Sequence, residues 1–235
     1  MKKIAFLAIA MSALLGLSAC GKQLTTSKTN YNATGMVAVI KGEASGKTVK
    51  YQAPTGNGSS KVNAGAYVVT VPMSNQKQTV KLSADGQNKS VTVKAAKAIG
   101  DYKTISAKYN QAVVAMALPK SVQTQLAAAQ KAGASAVASM TPAQKVAYAK
   151  QQQALQAAMV KAQQATKDSQ LPTSAEGLKQ VLSTNGGKLR VNVQNGQLIA
   201  MTDVVSVKAM KNNKAKTAFG TQFGLLANAT GADAK

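Results

Sequence analysis

The sequence predicts an α+β protein in several parts. A small β-sandwich comes first, Ala/Gln/Lys-rich helices follow, and a β-hairpin packed with helices ends the chain. Three observations predict this. Residues 36–97 are short runs of period-two alternation punctuated by turn residues. Residues 101–170 exchange that pattern for helical spacing in alanine, glutamine and lysine. Residues 171–235 hold two alternating runs joined through Asn195-Gly196, then a second helix-period stretch.

The chain opens with Lys2 and Lys3, followed by Ile4 to Leu17, apolar apart from Ser12 and glycine. A charged start, an apolar run and small residues ahead of a cut site form a secretory signal, here residues 1–19. The apolar run is shorter than the roughly 20 residues a membrane span requires. Leu17-Ser18-Ala19-Cys20 resembles the lipobox of bacterial lipoproteins. The resemblance implies cleavage between Ala19 and Cys20 and attachment of diacylglycerol to the Cys20 sulfur, with fatty-acyl (palmitate-type) chains as membrane anchor. Residues 20–35 are polar and lack a period, which predicts a flexible tether.

Strands are expected at Met36–Ile40, Lys47–Tyr51, Ala66–Val71, Thr79–Leu82 and Ser90–Val93. Pro54-Thr55-Gly56-Asn57-Gly58 and Asp85-Gly86 supply turn chemistry between them. Five or six short strands at this spacing predict a sandwich over 36–97. Ile40–Ala44, Gly65–Pro72, Gln78–Ala84 and Asn88-Lys89-Ser90 also resemble bacterial Ig-like domains. Such domains serve as spacers or binding modules, so the resemblance assigns no function.

In 101–170, Thr104 is expected to cap a helix carrying Ile105, Tyr109, Ala112, Val113 and Met116, ended or kinked by Pro119. Ser121 opens a second helix through Leu126 and Ala129. Thr141-Pro142-Ala143-Gln144 combines an N-cap threonine, proline at the first helical position and glutamine at the third. The helix it starts runs to about Lys167, with a thin apolar stripe of Tyr148, Leu155, Met159 and Ala162. So narrow a stripe predicts packing on one side only.

In 171–235, Thr173-Ser174-Ala175-Glu176 resembles a capping box and predicts a short helix bearing Leu178, Val181 and Leu182, stopped at Asn185-Gly186-Gly187. Leu189–Val193 and Gln197–Met201 form the hairpin, with Val204–Val207 as a prolongation or third strand. Lys211–Ala229 reads as a helix whose Phe219, Phe223 and Leu226 pack on that hairpin. Phe223–Asp233 and Ala98–Asn110 are similar to uncharacterised lipoproteins of lactic-acid-type Gram-positive bacteria. That similarity implies a location and no activity.

The totals narrow the chemistry. There are 29 basic against 7 acidic residues, a net charge of +22, one cysteine and no histidine or tryptophan. Loss of Lys2 and Lys3 with the signal leaves +20. A single cysteine allows no internal disulfide, so folding rests on the core even in an exported chain. Missing histidine removes the commonest acid–base group near neutral pH and, with it, the usual zinc ligands. No two acids of the mature chain lie closer in sequence than Asp168 and Glu176, and no Asp-x-Asp pattern offers a calcium loop. Ser74-Asn75-Gln76-Lys77 fits Ser-x-x-Lys formally but falls in a turn between strands. No catalytic, cofactor or metal residues are therefore assigned.

The lysines imply an anionic partner. Arg190 is the one arginine, and no aromatic-interleaved basic stripe exists, which argues against nucleic acid. The expectation is a non-enzymatic lipoprotein on the outer membrane face, binding an anionic wall polymer, lipid headgroups or an envelope protein. The alternative is an extracytoplasmic ligand-binding lipoprotein serving a transporter or signalling system, with its pocket between the C-terminal hairpin and helices.

Overall fold

A computed structural model describes residues 21–132 and 140–232. The chain is mixed α and β, and its N-terminal part is β-rich. Seven strands come first: β1 (Asn30–Tyr31), β2 (Val37–Glu43), β3 (Thr48–Ala53), β4 (Gly56–Lys61), β5 (Ala66–Pro72), β6 (Gln78–Ala84) and β7 (Gln87–Val93). β2 and β5 pair as one sheet, and the order β1-β7-β6-β3-β4 makes the other. All pairs are antiparallel except β1 with β7. Alternation decides which side chains meet. Ala38 and Ile40, Tyr67, Val69 and Val71, Val80 and Leu82, and Val91 and Val93 point inward and form one buried cluster with Val49. Burying each larger apolar side chain contributes about 1.5–3 kcal/mol. Asp85 at φ +49° and Gly86 at φ +81° turn β6 into β7, the two positive angles that a tight hairpin requires.

The tether expected over 20–35 is corrected. Residues 23–31 are paired backbone. Thr25 and Ser27 donate N–H bonds to Glu43 and Lys41 carbonyls, and Ser45 N–H donates to the Gln23 carbonyl, all at 2.8 Å. Tyr31 is buried, with its hydroxyl accepting from Lys28 N–H. Tyr67 hydroxyl donates to the Thr25 carbonyl at 2.7 Å. Polarity misled the reading: an edge segment satisfies its amides through backbone bonds and needs no apolar period.

Beyond β7 come β8 (Gly100–Asp101), α1 (Tyr102–Ala117), α2 (Lys120–Ala132), α3 (Pro142–Ala165), β9 (Gly177–Thr184), β10 (Gly187–Gln194), β11 (Gln197–Val204) and α4 (Asn213–Thr230). Strands β8-β11-β10-β9 form one sheet. Its inner side chains Leu182, Leu189, Val191, Val193 and Leu198 meet Ile105, Tyr109 and Val113 of α1 and Leu226 and Ala229 of α4 in a second buried cluster. Residues from 101–170 and 171–235 thus share one core.

Several expectations here are corrected. The α1 N-cap is Asp101, whose carboxylate accepts from Thr104 N–H at 2.7 Å and Thr104 hydroxyl at 2.6 Å. Thr104 therefore sits three residues inside the helix. The short helix expected from the Thr173–Glu176 box is instead strand β9, because its backbone completes the ladder on β10. A tertiary pairing partner overrode a local start signal. The hairpin is accordingly the centre of a four-stranded sheet. Val204 ends β11, and Val207 is exposed. On α4 the buried positions are Gln222, Leu226, Ala227 and Ala229, while Phe223 is 54% exposed and stacks on Phe219 at 6.3 Å. Ala218 carbonyl would lie 2.8 Å from a Cβ at Gly186, so small residues set the contact and the phenylalanines fall beside it.

Pro119 ends α1, and the Thr141 capping box of α3 forms as the sequence predicts. Ala162 of α3 is buried, whereas Met159 is exposed. The α3 helix packs against α1.

Candidate functional site

Ala19 and Cys20, the cleavage and lipidation positions, lie outside the described residues. The first described residue is Gly21, and Gln23 already accepts a backbone bond. Three residues of extended chain reach about 10 Å. An acyl anchor at Cys20 would therefore hold the β-rich part close to a bilayer, not at the end of a long leash. Among the described residues no helix is long and apolar enough to cross a membrane.

The charged groups are sparsely paired. Among the described residues one salt bridge forms, Lys22 to Asp85 at 3.4 Å, with both side chains well exposed. The other lysines whose burial is described are exposed. The pairing register places three of them on the outer face of the five-stranded sheet. Lys50 on β3 stands beside Ser59 of β4 and Ser83 of β6, and Asn88 of β7 completes that row. The next row runs Asn57, Gln52, Lys81 and Ser90, and Lys61 pairs with Thr48 one row on the other side. A shallow depression of about 570 Å³ crosses these strands. The outer face of the β2–β5 sheet differs, carrying exposed Val39 and Val68 with one lysine, Lys41, and the carboxylate of Glu43.

Two further concavities lie among the helices. A cleft of about 820 Å³ opens between α1, α4 and the β9–β10 turn, lined by Tyr109 and Val113 of α1, Thr221 and Leu225 of α4, and Thr184 and Asn185 at the turn. A groove of about 830 Å³ runs between α1, α2 and α3, lined by Met116, Leu118, Leu126 and Met159. The sequence expectation set a ligand pocket between the β10–β11 hairpin and the helices; the first cleft lies instead at the β9–β10 turn. A partly buried network centred on Gln222 supports its wall. Gln222 Nε2 donates to Asp203 at 2.9 Å, and Gln222 Oε1 accepts from Thr184 hydroxyl at 2.7 Å. Thr184 hydroxyl in turn accepts from Gly186 N–H at 3.0 Å. The sequence did not mark this trio, because its members lie on three elements without a local pattern.

Burial pushes the Asp203 carboxyl above the usual carboxylate range, and the bond from Gln222 opposes that only in part. Burial also raises the Tyr109 hydroxyl to about 12, with the Asp203 charge adding to it. Asp203 binds its proton more tightly folded than unfolded. Its ionisation therefore destabilises the fold, and the penalty develops as pH rises from below the unfolded pKa through the folded one. Asp203→Asn should flatten that part of the stability–pH curve and raise the melting temperature at neutral pH relative to wild type. Thermal melts of both chains across the acidic range check this; an unchanged difference between the curves at every pH refutes it.

The Ser-x-x-Lys match has a structural use. Ser74 is buried, its hydroxyl donating to Gln194 Oε1 at 3.0 Å and accepting from Gln76 N–H at 3.1 Å. Among the described residues no group of three or more acid or cysteine side chains gathers where a metal would bind. No protein family matches the sequence, and no curated protein matches it.

Proposed function

We propose that this chain is a non-enzymatic lipoprotein, held by acyl chains on Cys20 at the outer face of a bacterial membrane, that binds an anionic envelope component. In this reading the β-rich N-terminal part is an Ig-like sandwich that stands next to the bilayer, and the helical and C-terminal parts face outward. One observation carries the proposal: 29 basic residues stand against 7 acidic ones, with one ion pair among the described residues. A cation left without an internal partner is available to an external one. Two acyl chains anchor stably, and each lysine near an anionic surface adds about 1 kcal/mol.

A second reading, a ligand-binding lipoprotein serving a transporter or signalling partner, is favoured by the cleft of about 820 Å³ at the β9–β10 turn. Its size suits a small molecule.

Salt separates the two. Screening shortens from about 10 Å at 0.1 M to about 3 Å at 1 M salt. Retention on purified cell wall should fall steeply over that range if lysines carry the binding. Retention that ignores salt, with a small molecule co-purifying in native mass spectrometry, supports the second reading against the first. Fatty-acid labelling should mark the wild-type chain and not Cys20→Ser; equal labelling of both removes the anchor.

A further inference from the structure

We infer that the outer face of the five-stranded sheet is the surface that takes the polyanion, and that its ligand is a linear envelope chain bearing phosphodiester or carboxylate groups together with hydroxyls. This rests on the polycation reading above and adds a place and a ligand chemistry to it. Every side chain in the two central rows is an ammonium, a hydroxyl or an amide: Ser59, Lys50, Ser83, Asn88, then Asn57, Gln52, Lys81, Ser90. No carboxylate and no apolar side chain stands in these rows. Lys50 and Lys81 are diagonal neighbours across β3 and β6. Like charges so placed repel, and a bound anion between them relieves the repulsion. The carboxylate at the end of the β6–β7 pair, Asp85, is occupied by Lys22.

Shape selects the occupant. The depression of about 570 Å³ is lined by Lys50, Lys81, Gln52 and Asn57 of the two rows, with Tyr51 and Leu82 of the intervening positions also reaching it. A single polymer strand can lie in it with anions on the two ammonium groups and hydroxyls on the amides and serines. A bilayer presents a plane and an apolar interior, and the two outward rows offer no apolar side chain to enter one. The other outer sheet face carries a single ammonium, Lys41, set directly across from exposed Val68 and flanked by exposed Val39 and the carboxylate of Glu43.

The test uses the full chain, a purified glycerol-phosphate polymer, and vesicles of phosphatidylglycerol with phosphatidylcholine. K50Q/K81Q is compared with K145Q/K150Q, which removes the same charge from exposed positions of α3. The sheet pair should weaken polymer binding about tenfold and the helix pair less than about twofold. S59A/N88A keeps every charge and should weaken it by about threefold through lost hydrogen bonds, so the inference remains testable if the lysine variant folds poorly. Equal weakening by the sheet and helix pairs overturns this surface while leaving the polycation reading intact. A wild-type chain that binds neither the polymer nor the vesicles overturns the reading beneath it, and one that binds the vesicles alone overturns the choice of occupant. Loss of vesicle binding with polymer binding preserved overturns the choice of occupant.

Discussion

Gly42→Val is expected to release the N-terminal segment and to destabilise the β-rich part by about 3 kcal/mol, within the range for strain at a closely approached glycine. A Cβ at Gly42 would lie 2.0 Å from the Thr25 carbonyl oxygen and 2.8 Å from the Tyr67 hydroxyl. Neither neighbour is free to give. Thr25 is held to Glu43 by its own N–H, and Tyr67 is buried in the core with its hydroxyl donating to the same Thr25 carbonyl. The segment must therefore lift away, losing the bonds of Thr25, Ser27 and Ser45 together. Hydrogen exchange should show those three amides unprotected while the β9–β11 ladder stays protected. A spectroscopic readout accompanies it. Burial holds the Tyr67 hydroxyl at about 12, with Tyr31 adding to the shift, and solvent entry should bring it back toward the ordinary tyrosine value. Protection unchanged at Thr25 and Ser27 would show that the close approach carries no weight. The functional consequence follows from length. With the segment docked, two residues separate position 20 from paired backbone at Gln23; with it released, nine separate it from β1 at Asn30, and the reach grows at about 3.3–3.6 Å per residue.

The strands whose alternation was complete were legible in the sequence. Asp85-Gly86 and Asn195-Gly196 announced their turns, and both adopt the positive φ angles those turns need. The capping box at Thr141 and the stop at Pro119 were equally local signals. Errors arose where the deciding partner lies far away in the chain. Thr173–Glu176 has the chemistry of a helix start, but strand β10 offers a complete ladder, and pairing prevails over propensity. Residues 23–31 lack any hydrophobic period, yet β2 and β7 supply their hydrogen bonds. Phe219 and Phe223 match the helical period of α4, but alanines and Gln222 fit against the Gly186 turn, and packing follows volume more than hydrophobicity alone. The candidate binding face shows the same limit. Its residues alternate visibly along each strand as Lys50 and Gln52, Asn57 and Ser59, or Lys81 and Ser83, but only the register places them side by side.

N192A/Q194A is expected to uncouple the β-rich part from the β8–β11 sheet. Asn192 and Gln194 both donate to the Met73 carbonyl at 2.8 Å, and Gln194 Oε1 accepts from Ser74 hydroxyl and Asn75 N–H. Asn192 is 1% exposed, so the pair is not a solvated contact that water could replace at no loss. Both donors to one buried carbonyl disappear together, and leaving such a group unpaired costs about 1–3 kcal/mol, with the lost acceptor of Ser74 adding to it. The two buried clusters themselves lose nothing, since neither side chain belongs to them. Calorimetry should therefore resolve one wild-type transition into two, and proteolysis should open the 94–99 connection, whose Ala96 and Ile99 amides are tied to Ser74 and Leu198. A single transition at the wild-type temperature would mean that those backbone bonds alone hold the junction. The contact also orders the Ser74-x-x-Lys77 turn: its serine hydroxyl donates to Gln194 Oε1 at 3.0 Å. Freed by the double substitution, that turn becomes the direct control. If it gains no activity toward an acyl substrate when exposed, the Ser-x-x-Lys spacing is a formal match and the serine's bond to Gln194 is its role at the junction.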